Sequence, residues 1–141
     1  MATVIREIVI NATPSEVWAV IGDFAGGPTK MAPGFVTDTR LEDPETRLVT
    51  FINGHLARER LIARDASARR IVWAFTDGWA KPDHNNAAMQ IHADGTDRSR
   101  LVWTHDVLPD NLAEPLAAAM DGGLPIIKQT IEKRAAAAVE N

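Results

Sequence analysis

The chain has 141 residues, of which 45% are hydrophobic and 24% charged, so we predict one globular domain over residues 1–141 with a sizeable core. The net charge of −4 argues against nucleic-acid binding, which needs a basic surface, and the absence of cysteine excludes disulfides, thiolate catalysis and cysteine-bound zinc. No apolar run reaches the ~18 residues of a membrane span, and the N-terminus lacks a signal-peptide core, so we expect a cytoplasmic location.

The N-terminal segment predicts one strand followed by two short helices. Residues 4–10 alternate between apolar and polar side chains, which is typical of a strand. Thr13 and Glu16 have the spacing of a capping box, and this predicts a helix that ends near Gly22. Residues 24–31 predict a second short helical turn before the chain changes its hydrophobic period.

The glycine-rich stretch DFAGGPTK, residues 23–30, invites comparison with a phosphate-binding loop. It lacks the GxxxxGK[ST] pattern that such a loop requires, so we reject a P-loop. We interpret Gly22, Gly26 and Gly27 as turn residues between two helices, with a loop that shapes a cavity entrance as the alternative.

Six short runs rich in β-branched and aromatic residues follow, separated by turn signals such as Asn53-Gly54 and Asp94-Gly95. Their close spacing predicts an antiparallel meander and brings the total to seven strands. The six runs are residues 34–42, 46–52, 55–65, 69–78, 85–93 and 99–107.

The last third of the chain predicts one long helix over residues 111–139. Asn111 and Glu114 have capping-box spacing, and Gly122, Gly123 and Pro125 predict a kink or a brief break. A single apolar stripe recurs at helical spacing, formed by Leu116, Met120, Leu124, Ile127 and Ile131.

The order of these elements predicts an α+β fold. An antiparallel sheet with alternating apolar residues must bury one face, and the long helix is the element large enough to cover it. Several positions expected to point inward are small, namely Ala74, Ala87 and Gly123. Small inward residues favour a cavity between the sheet and the helix.

The chain resembles the START/Bet v 1-like (SRPBCC) superfamily, in particular its bacterial polyketide cyclase/dehydrase-like members. The resemblance covers nearly the whole chain and rests on SEVWAVIGDF, on RERLIARD followed by RRIVWAF, on DGTDRSRLVWTHDV and on the long last helix. It implies a helix-grip fold, in which a seven-stranded curved antiparallel sheet wraps around the C-terminal helix and two short helices lie between strands 1 and 2. It also implies an internal cavity for apolar or amphipathic molecules such as lipids, sterols, polyketides or plant hormones.

Glu59 is the most informative residue of the predicted cavity. Strand alternation places it on the inner face and places Arg58, Arg60 and Arg64 in water, and a carboxylate on an apolar face is costly without a partner. The resemblance implies that this glutamate lines the pocket, and the alternative is a position at the rim, paired with an arginine. The predicted cavity residues are Phe35, Val49, Phe51, Ala57, Glu59, Leu61, Val72, Ala74, Asn85, Ala87, Met89, Trp103, His105, Leu116, Met120, Gly123 and Ile127.

The predicted orientation of the strand over residues 69–78 leaves two large aromatic side chains on the outer face of the sheet. Placing Val72 and Ala74 inward turns Trp73 and Phe75 outward, where two large aromatic side chains need another surface to cover them. The short helices or a dimer partner could supply that surface, or the phase of the strand is wrong by one residue, which would invert its two faces.

Trp79 lies in the longest strand connection, residues 77–86. It is interpreted either as part of a lid at the cavity mouth or as a side chain folded back onto the sheet. We predict no metal site and no cofactor, because the four histidines lack HxxxH or HExxH spacing, and no GxSxG nucleophile motif is present.

The favoured function is the binding of an apolar or amphipathic small molecule by a carrier or sensor, with Glu59, Asn85 and His105 as polar anchors. The alternative is a polyketide cyclase or dehydratase in which Glu59 or His105, the two tentative catalytic residues, transfers protons. A protein-interaction module is a third possibility and would show a filled interior. We expect a small-molecule partner, no nucleic acid, no membrane span, and a monomer or homodimer.

Overall fold

The structure, a computed structural model, describes residues 1–140. Its elements are β1 (Ala2–Ile10), α1 (Pro14–Ile21), α2 (Gly27–Met31), β2 (Val36–Asp43), β3 (Thr46–Phe51), β4 (Leu56–Asp65), β5 (Arg70–Gly78), β6 (His84–Ala93), β7 (Ser99–Leu108), a 3-10 turn (Asp110–Leu112) and α3 (Ala113–Glu140). The predicted seven strands, two early short helices and long C-terminal helix are confirmed.

The seven strands form one antiparallel sheet in the order β1-β7-β6-β5-β4-β3-β2. Strands β2 to β7 are a meander joined by local connections, and β1 pairs with β7 at the far edge, so that Val4 lies opposite His105. The helices α1 and α2 therefore carry the chain from one edge of the sheet, β1, to the other, β2. The α+β helix-grip architecture expected from the sequence is confirmed.

The first helix begins as its capping residues predict. The amide of Glu16 donates to Oγ1 of Thr13 over 3.2 Å, and the amide of Thr13 donates to Oε1 of Glu16 over 3.0 Å. Each bond satisfies a backbone donor near the start of the helix that the helical ladder leaves free.

The glycine-rich stretch is a structural turn. The amides of Gly26 and Gly27 donate to the side chain and the carbonyl of Asp23, over 3.2 and 2.7 Å. A Cβ atom on Gly22 would lie 2.6 Å from the Trp18 ring, so only glycine fits there without displacing the tryptophan. The hydrogen bond from the Lys30 ammonium lowers the pKa of Asp23, so its carboxylate is charged while it accepts from the Gly26 amide in the turn.

The long helix α3 is continuous from Ala113 to Glu140, so the predicted break at Pro125 is absent. Pro125 is exposed, and water can hydrate the Asp121 carbonyl that the proline leaves without a donor. The apolar stripe of α3 is buried as predicted, at Leu116, Met120, Leu124, Ile127 and Ile131.

The solid part of the core lies between the sheet, α1 and the C-terminal half of α3. Ile10, Val17, Leu101, Leu124 and Ile131 belong to one cluster of buried side chains there. Beside this cluster, toward the start of α3, the packing leaves a cavity. Within residues 1–140, no helix has the length and apolar character needed to cross a membrane.

Candidate functional site

A cavity of about 100 Å³, partly open to solvent, lies between the sheet and α3. A single water molecule needs only ~10–15 Å³ of such space, so the cavity has room for a larger guest. Its wall is mainly apolar and includes six aromatic side chains. The lining residues are Ile21, Pro28, Met31, Ala32, Phe35, Val36, Arg47, Val49, Phe51, Ala57, Glu59, Trp73, Phe75, Trp79, Met89, Trp103, His105, Leu116, Ala119, Met120, Gly123 and Ile127.

Most of the residues predicted to line a cavity do lie in this wall. They come from the segment just before β2, from β3, β4, β6 and β7, and from α3. The absence of a side chain at Gly123 leaves space beside the Phe35 and Trp103 rings. The predicted residues found in the wall are Phe35, Val49, Phe51, Ala57, Glu59, Met89, Trp103, His105, Leu116, Met120, Gly123 and Ile127.

The predicted phase of β5 is wrong by one residue. Trp73 and Phe75 point into the cavity, whereas Val72 and Ala74 lie on the outer face of the sheet. Ile71 to Phe75 is a continuous apolar run with both of its faces largely buried, so hydrophobic alternation carries no information about which side faces inward. Burial of the two large aromatic rings decides the orientation.

Three further predicted residues share the inner face of the sheet but do not line the cavity. Leu61 packs half-buried against the core cluster, and Ala87 is fully buried inside it. Asn85, which we expected to be a polar anchor of the cavity, is only 4% exposed and bonds to His105 instead.

Arg64 is exposed, as predicted, but its side chain also reaches α1. Its guanidinium is 5.0 Å from the centre of the Trp18 ring, and its Nε donates to the Gly22 carbonyl over 2.6 Å. A register shift between Leu61 and Ala63 changes the alternation of β4 before Arg64 is reached.

Arg47 is the charged residue of the wall that our sequence reasoning missed. It lies on β3 two and four residues before Val49 and Phe51, so strand alternation alone puts it on their inner face. The other lining residues not predicted are Ile21, Pro28, Met31, Ala32, Val36, Trp73, Phe75, Trp79 and Ala119.

Arg47 and Glu59 form a buried ion pair in the cavity wall. Their strands are adjacent and the two residues are direct partners in the β3–β4 register. Nε of Arg47 lies 2.8 Å from Oε1 of Glu59, and the two side chains are 4% and 12% exposed. Glu59 thus combines features of both interpretations, since it lines the cavity and is paired with an arginine.

Two aromatic rings and a carbonyl hold the Arg47 guanidinium in place. Its Cζ atom lies 4.5 Å from the centre of the Phe24 ring and 5.2 Å from that of Trp73, within the range of cation–π attraction. Nη1 donates to the Phe24 carbonyl over 3.1 Å. The cation is therefore fixed in orientation before any ligand enters.

His105 is the second polar group of the wall. Its Nδ1 donates to Oδ1 of Asn85 over 3.0 Å, which leaves the Nε2 lone pair as an acceptor. Burial lowers the pKa of His105 from 6.5 to about 4, because the charged imidazolium would lose its hydration, and nearby Asp106 opposes this effect. His105 is therefore neutral at pH 7.

Trp79 folds back against the sheet and also lines the cavity, and the lid interpretation stays a prediction. Its ring stacks on His55 at 6.0 Å and contacts Phe75 at 5.4 Å between ring centres. Phe35 and Phe51 pack edge to face at 5.8 Å nearby. Because Trp79, Phe35 and Phe51 are only half-buried, they mark the side on which the cavity approaches solvent.

No cluster of three or more metal-ligating side chains occurs among the residues that the structure describes. Asp106 follows His105 on the opposite face of β7, where it accepts hydrogen bonds from Thr3 and Asn86. His105 and Asp106 therefore do not form a catalytic dyad.

Solved structures share this fold at low sequence identity. An uncharacterised protein from Bacillus thuringiensis superposes with a TM-score of 0.81 at 16% identity, over 92% of this chain and 98% of the other. A START superfamily protein from Mycobacterium smegmatis gives 0.71 at 12% identity, over 96% and 98%. Norcoclaurine synthase from Thalictrum flavum, solved with dopamine and hydroxybenzaldehyde, gives 0.69 at 18% identity, over 94% and 84%.

No curated protein sequence matches this chain. The family model described as "Polyketide cyclase / dehydrase and lipid transport" matches residues 1–138, nearly the whole chain. This match confirms the family named from the sequence: the chain belongs to the polyketide cyclase/dehydrase and lipid transport family, and it shares the fold of the START superfamily protein.

Proposed function

We propose that the protein binds an apolar or amphipathic small molecule in the cavity between the sheet and α3, as a carrier or sensor. The observation that carries this proposal is that mainly apolar side chains between the sheet and α3 leave unfilled space between them. Gly123 and Ala119 on α3 contribute little volume where Phe35 and Trp103 approach the helix, so the gap persists. The family description, which includes lipid transport, points the same way.

The affinity would come mainly from removing ligand carbon from water. At about 25 cal/mol per Å², a ligand that buries about 300 Å² of apolar surface gains roughly 7 kcal/mol before the entropic costs of association are subtracted. The aromatic rings of the wall suit flat or ring-containing ligands, because they offer broad faces for contact.

A filled-cavity variant tests this proposal. Gly123→Leu places a branched side chain beside Phe35 and Trp103, whereas Ala118→Leu places the same side chain on the exposed side of α3. Titration with the neutral fluorescent probe N-phenyl-1-naphthylamine should give saturable binding to the wild type. Gly123→Leu should weaken binding about tenfold or more, and Ala118→Leu should leave it unchanged.

Equal affinity of the wild type and Gly123→Leu, with both proteins folded by circular dichroism, would place the probe elsewhere and reject the cavity as the binding site. Absence of saturable binding to the wild type would reject the proposal as well.

A cyclase or dehydratase is the second candidate, and the observation that favours it is the presence of two proton-transfer groups, Glu59 and His105, in one apolar wall. In that case Glu59→Gln and His105→Ala should each abolish turnover of a polyketide-like substrate without abolishing its binding. Unchanged turnover in both variants would remove this candidate. We favour binding because Glu59 is already paired with Arg47, and His105 with Asn85.

A further inference from the structure

A groove lies on the outer face of the sheet, on the opposite side from the cavity. It runs over β6 and β7 and holds about 160 Å³ of space, more than the cavity with its 100 Å³. The residues that line it from these two strands are Asn86, Ala88, Gln90, Val102, Thr104 and Asp106. All six are half-buried, so the groove is recessed into the surface of the sheet.

The floor of the groove is formed by small residues. Ala88 and Thr104 are direct partners in the β6–β7 register and lie at its middle. The longer side chains of Asn86 and Gln90 lie two residues away along β6, one in each direction. A molecule that lies along the groove is therefore bounded at both ends.

The two ends of the groove carry opposite charges. Arg70 on β5 pairs in register with Gln90 and lines one end, and Asp106 on β7 pairs with Asn86 and lines the other. Arg70 takes part in none of the ion pairs within the described part of the chain. Its register partner on β4, Asp65, bonds to a backbone amide of the following turn instead. The Arg70 guanidinium therefore has its donors free for a ligand.

The carboxylate at the other end is held in a fixed orientation. Thr3 donates to Oδ1 of Asp106 over 2.7 Å, and Nδ2 of Asn86 donates to Oδ2 over 3.3 Å. Asn86 is itself bonded to the His84 ring through its Oδ1 atom. A cationic group that enters this end thus meets a carboxylate whose side-chain entropy is already lost.

We infer that the groove binds a short peptide with free termini, with the peptide carboxylate at Arg70 and its ammonium group at Asp106. Each terminus then meets a charge of opposite sign, and the guanidinium offers a planar pair of donors to the carboxylate. The inference concerns the outer face of the sheet and does not depend on the proposed function of the cavity.

The separation of the two charged residues sets the length of the peptide. Arg70 and Asp106 lie two strands and four residues apart, which places their Cα atoms about 16 Å from each other. Their side chains span part of this distance and leave roughly 8–10 Å, the length of about three extended residues. Between the ends, Oε1 of Gln90 and the Thr104 hydroxyl can bond to peptide N–H and C=O groups.

Titration with trialanine at pH 7, followed by nuclear magnetic resonance of the backbone amides, tests the inference. The amide signals of Ala88, Gln90 and Thr104 should shift and saturate with a dissociation constant of about 1 mM, because exposed ion pairs contribute little each. N-acetyl-trialanine and trialanine amide each lack one terminal charge and should bind about fivefold more weakly.

Two variants assign the termini to their partners. Arg70→Gln should bind trialanine and trialanine amide equally, because the residue that recognises the carboxylate is gone. Asp106→Asn should bind trialanine and N-acetyl-trialanine equally, for the corresponding reason at the ammonium end. Arg60→Gln is the matched control, since Arg60 is also an exposed arginine on the outer face but lies outside the groove, and it should bind all three peptides as the wild type does.

Absence of saturable shifts at the groove would overturn the inference, as would equal binding of the capped and uncapped peptides by the wild type. A terminal cap that weakens binding to its matching variant as much as to the wild type would also overturn it. Arg70→Gln should leave the binding of N-phenyl-1-naphthylamine unchanged, so failure of the peptide titrations leaves the proposed function of the cavity standing.

Discussion

His105 couples the stability of the protein to pH at the scale of a single residue. Its pKa is 6.5 when exposed and about 4 in the fold, so between these values the unfolded chain binds a proton that the folded protein does not. The free energy of unfolding should therefore rise as the pH is raised from about 4 to 6.5. The difference between the two pKa values corresponds to roughly 3 kcal/mol of unfolding free energy.

Urea denaturation of the wild type and His105→Gln across this pH range measures the effect. The glutamine has a similar size and can still bond to Asn85 but does not titrate, so the variant should lose the part of the slope that belongs to His105. Asp23 and Glu132, whose pKa values are lowered by their lysine partners and by backbone amides, titrate in both proteins and cancel in the difference. Parallel profiles for the two proteins would contradict a buried, neutral His105.

Breaking the Arg47–Glu59 pair should destabilise the fold more than removing it. Arg47→Met leaves the Glu59 carboxylate almost buried without its partner and should lower the free energy of unfolding by about 3–5 kcal/mol. Arg47→Met/Glu59→Leu should recover most of this loss, because two apolar side chains need no counter-charge. Chemical denaturation of both variants measures the two values, and a double variant less stable than Arg47→Met would contradict the explanation.

The sequence allowed the positions of polar groups to be predicted better than their partners. The inner position of Glu59 follows from alternation along β4, but its pairing with Arg47 depends on the register between two strands. Asn85 was expected to be a polar anchor of the cavity. Its contact with His105, which is buried on the neighbouring strand, satisfies it inside the protein instead.

At the scale of elements, the buried face of a helix or strand could be predicted only where its hydrophobic residues have a clear period. The stripe of α3 has a clear helical period and is buried as expected, whereas the apolar run of β5 has no period and was assigned to the wrong face. The two β4–β5 register shifts, which leave Thr76 on β5 and Ile62 on β4 without a direct partner, have no signature in the sequence.

Gly78 allows the end of β5 to lie close to the start of β4. Gly78 has φ +138°, and a Cβ atom there would lie 2.0 Å from the Leu56 carbonyl oxygen. Gly78→Ala should therefore cost at least about 3 kcal/mol of stability, from backbone strain and the clash together. Because Gly78 precedes Trp79, the change should also weaken binding of N-phenyl-1-naphthylamine.

Gly95→Ala is the matched control, since Gly95 also has a positive φ, +79°, but a Cβ atom there would meet nothing within 4 Å. It should cost about 1 kcal/mol, from the left-handed backbone alone. Equal losses in the two variants, measured by urea denaturation, would show that the close contact with Leu56 is unimportant.

At the scale of the whole molecule, the topology was predictable and the cavity less so. Six consecutive strands with short turns imply an antiparallel meander, and one long helix is available to cover it. Whether space remains under that helix depends on how closely Phe35, Trp73 and Trp103 pack beside Gly123. Residue types alone do not specify these packing distances.

The central claim is that a ligand enters this space, and nuclear magnetic resonance of methyl groups tests it most directly. Titration with N-phenyl-1-naphthylamine should shift the methyl signals of Ala57, Met120 and Ile127 in the cavity wall, and leave those of Ile5 and Ile62, which are 56% and 54% exposed, unchanged. Shifts confined to Ile5 and Ile62, or no shifts at saturating probe, would contradict the account.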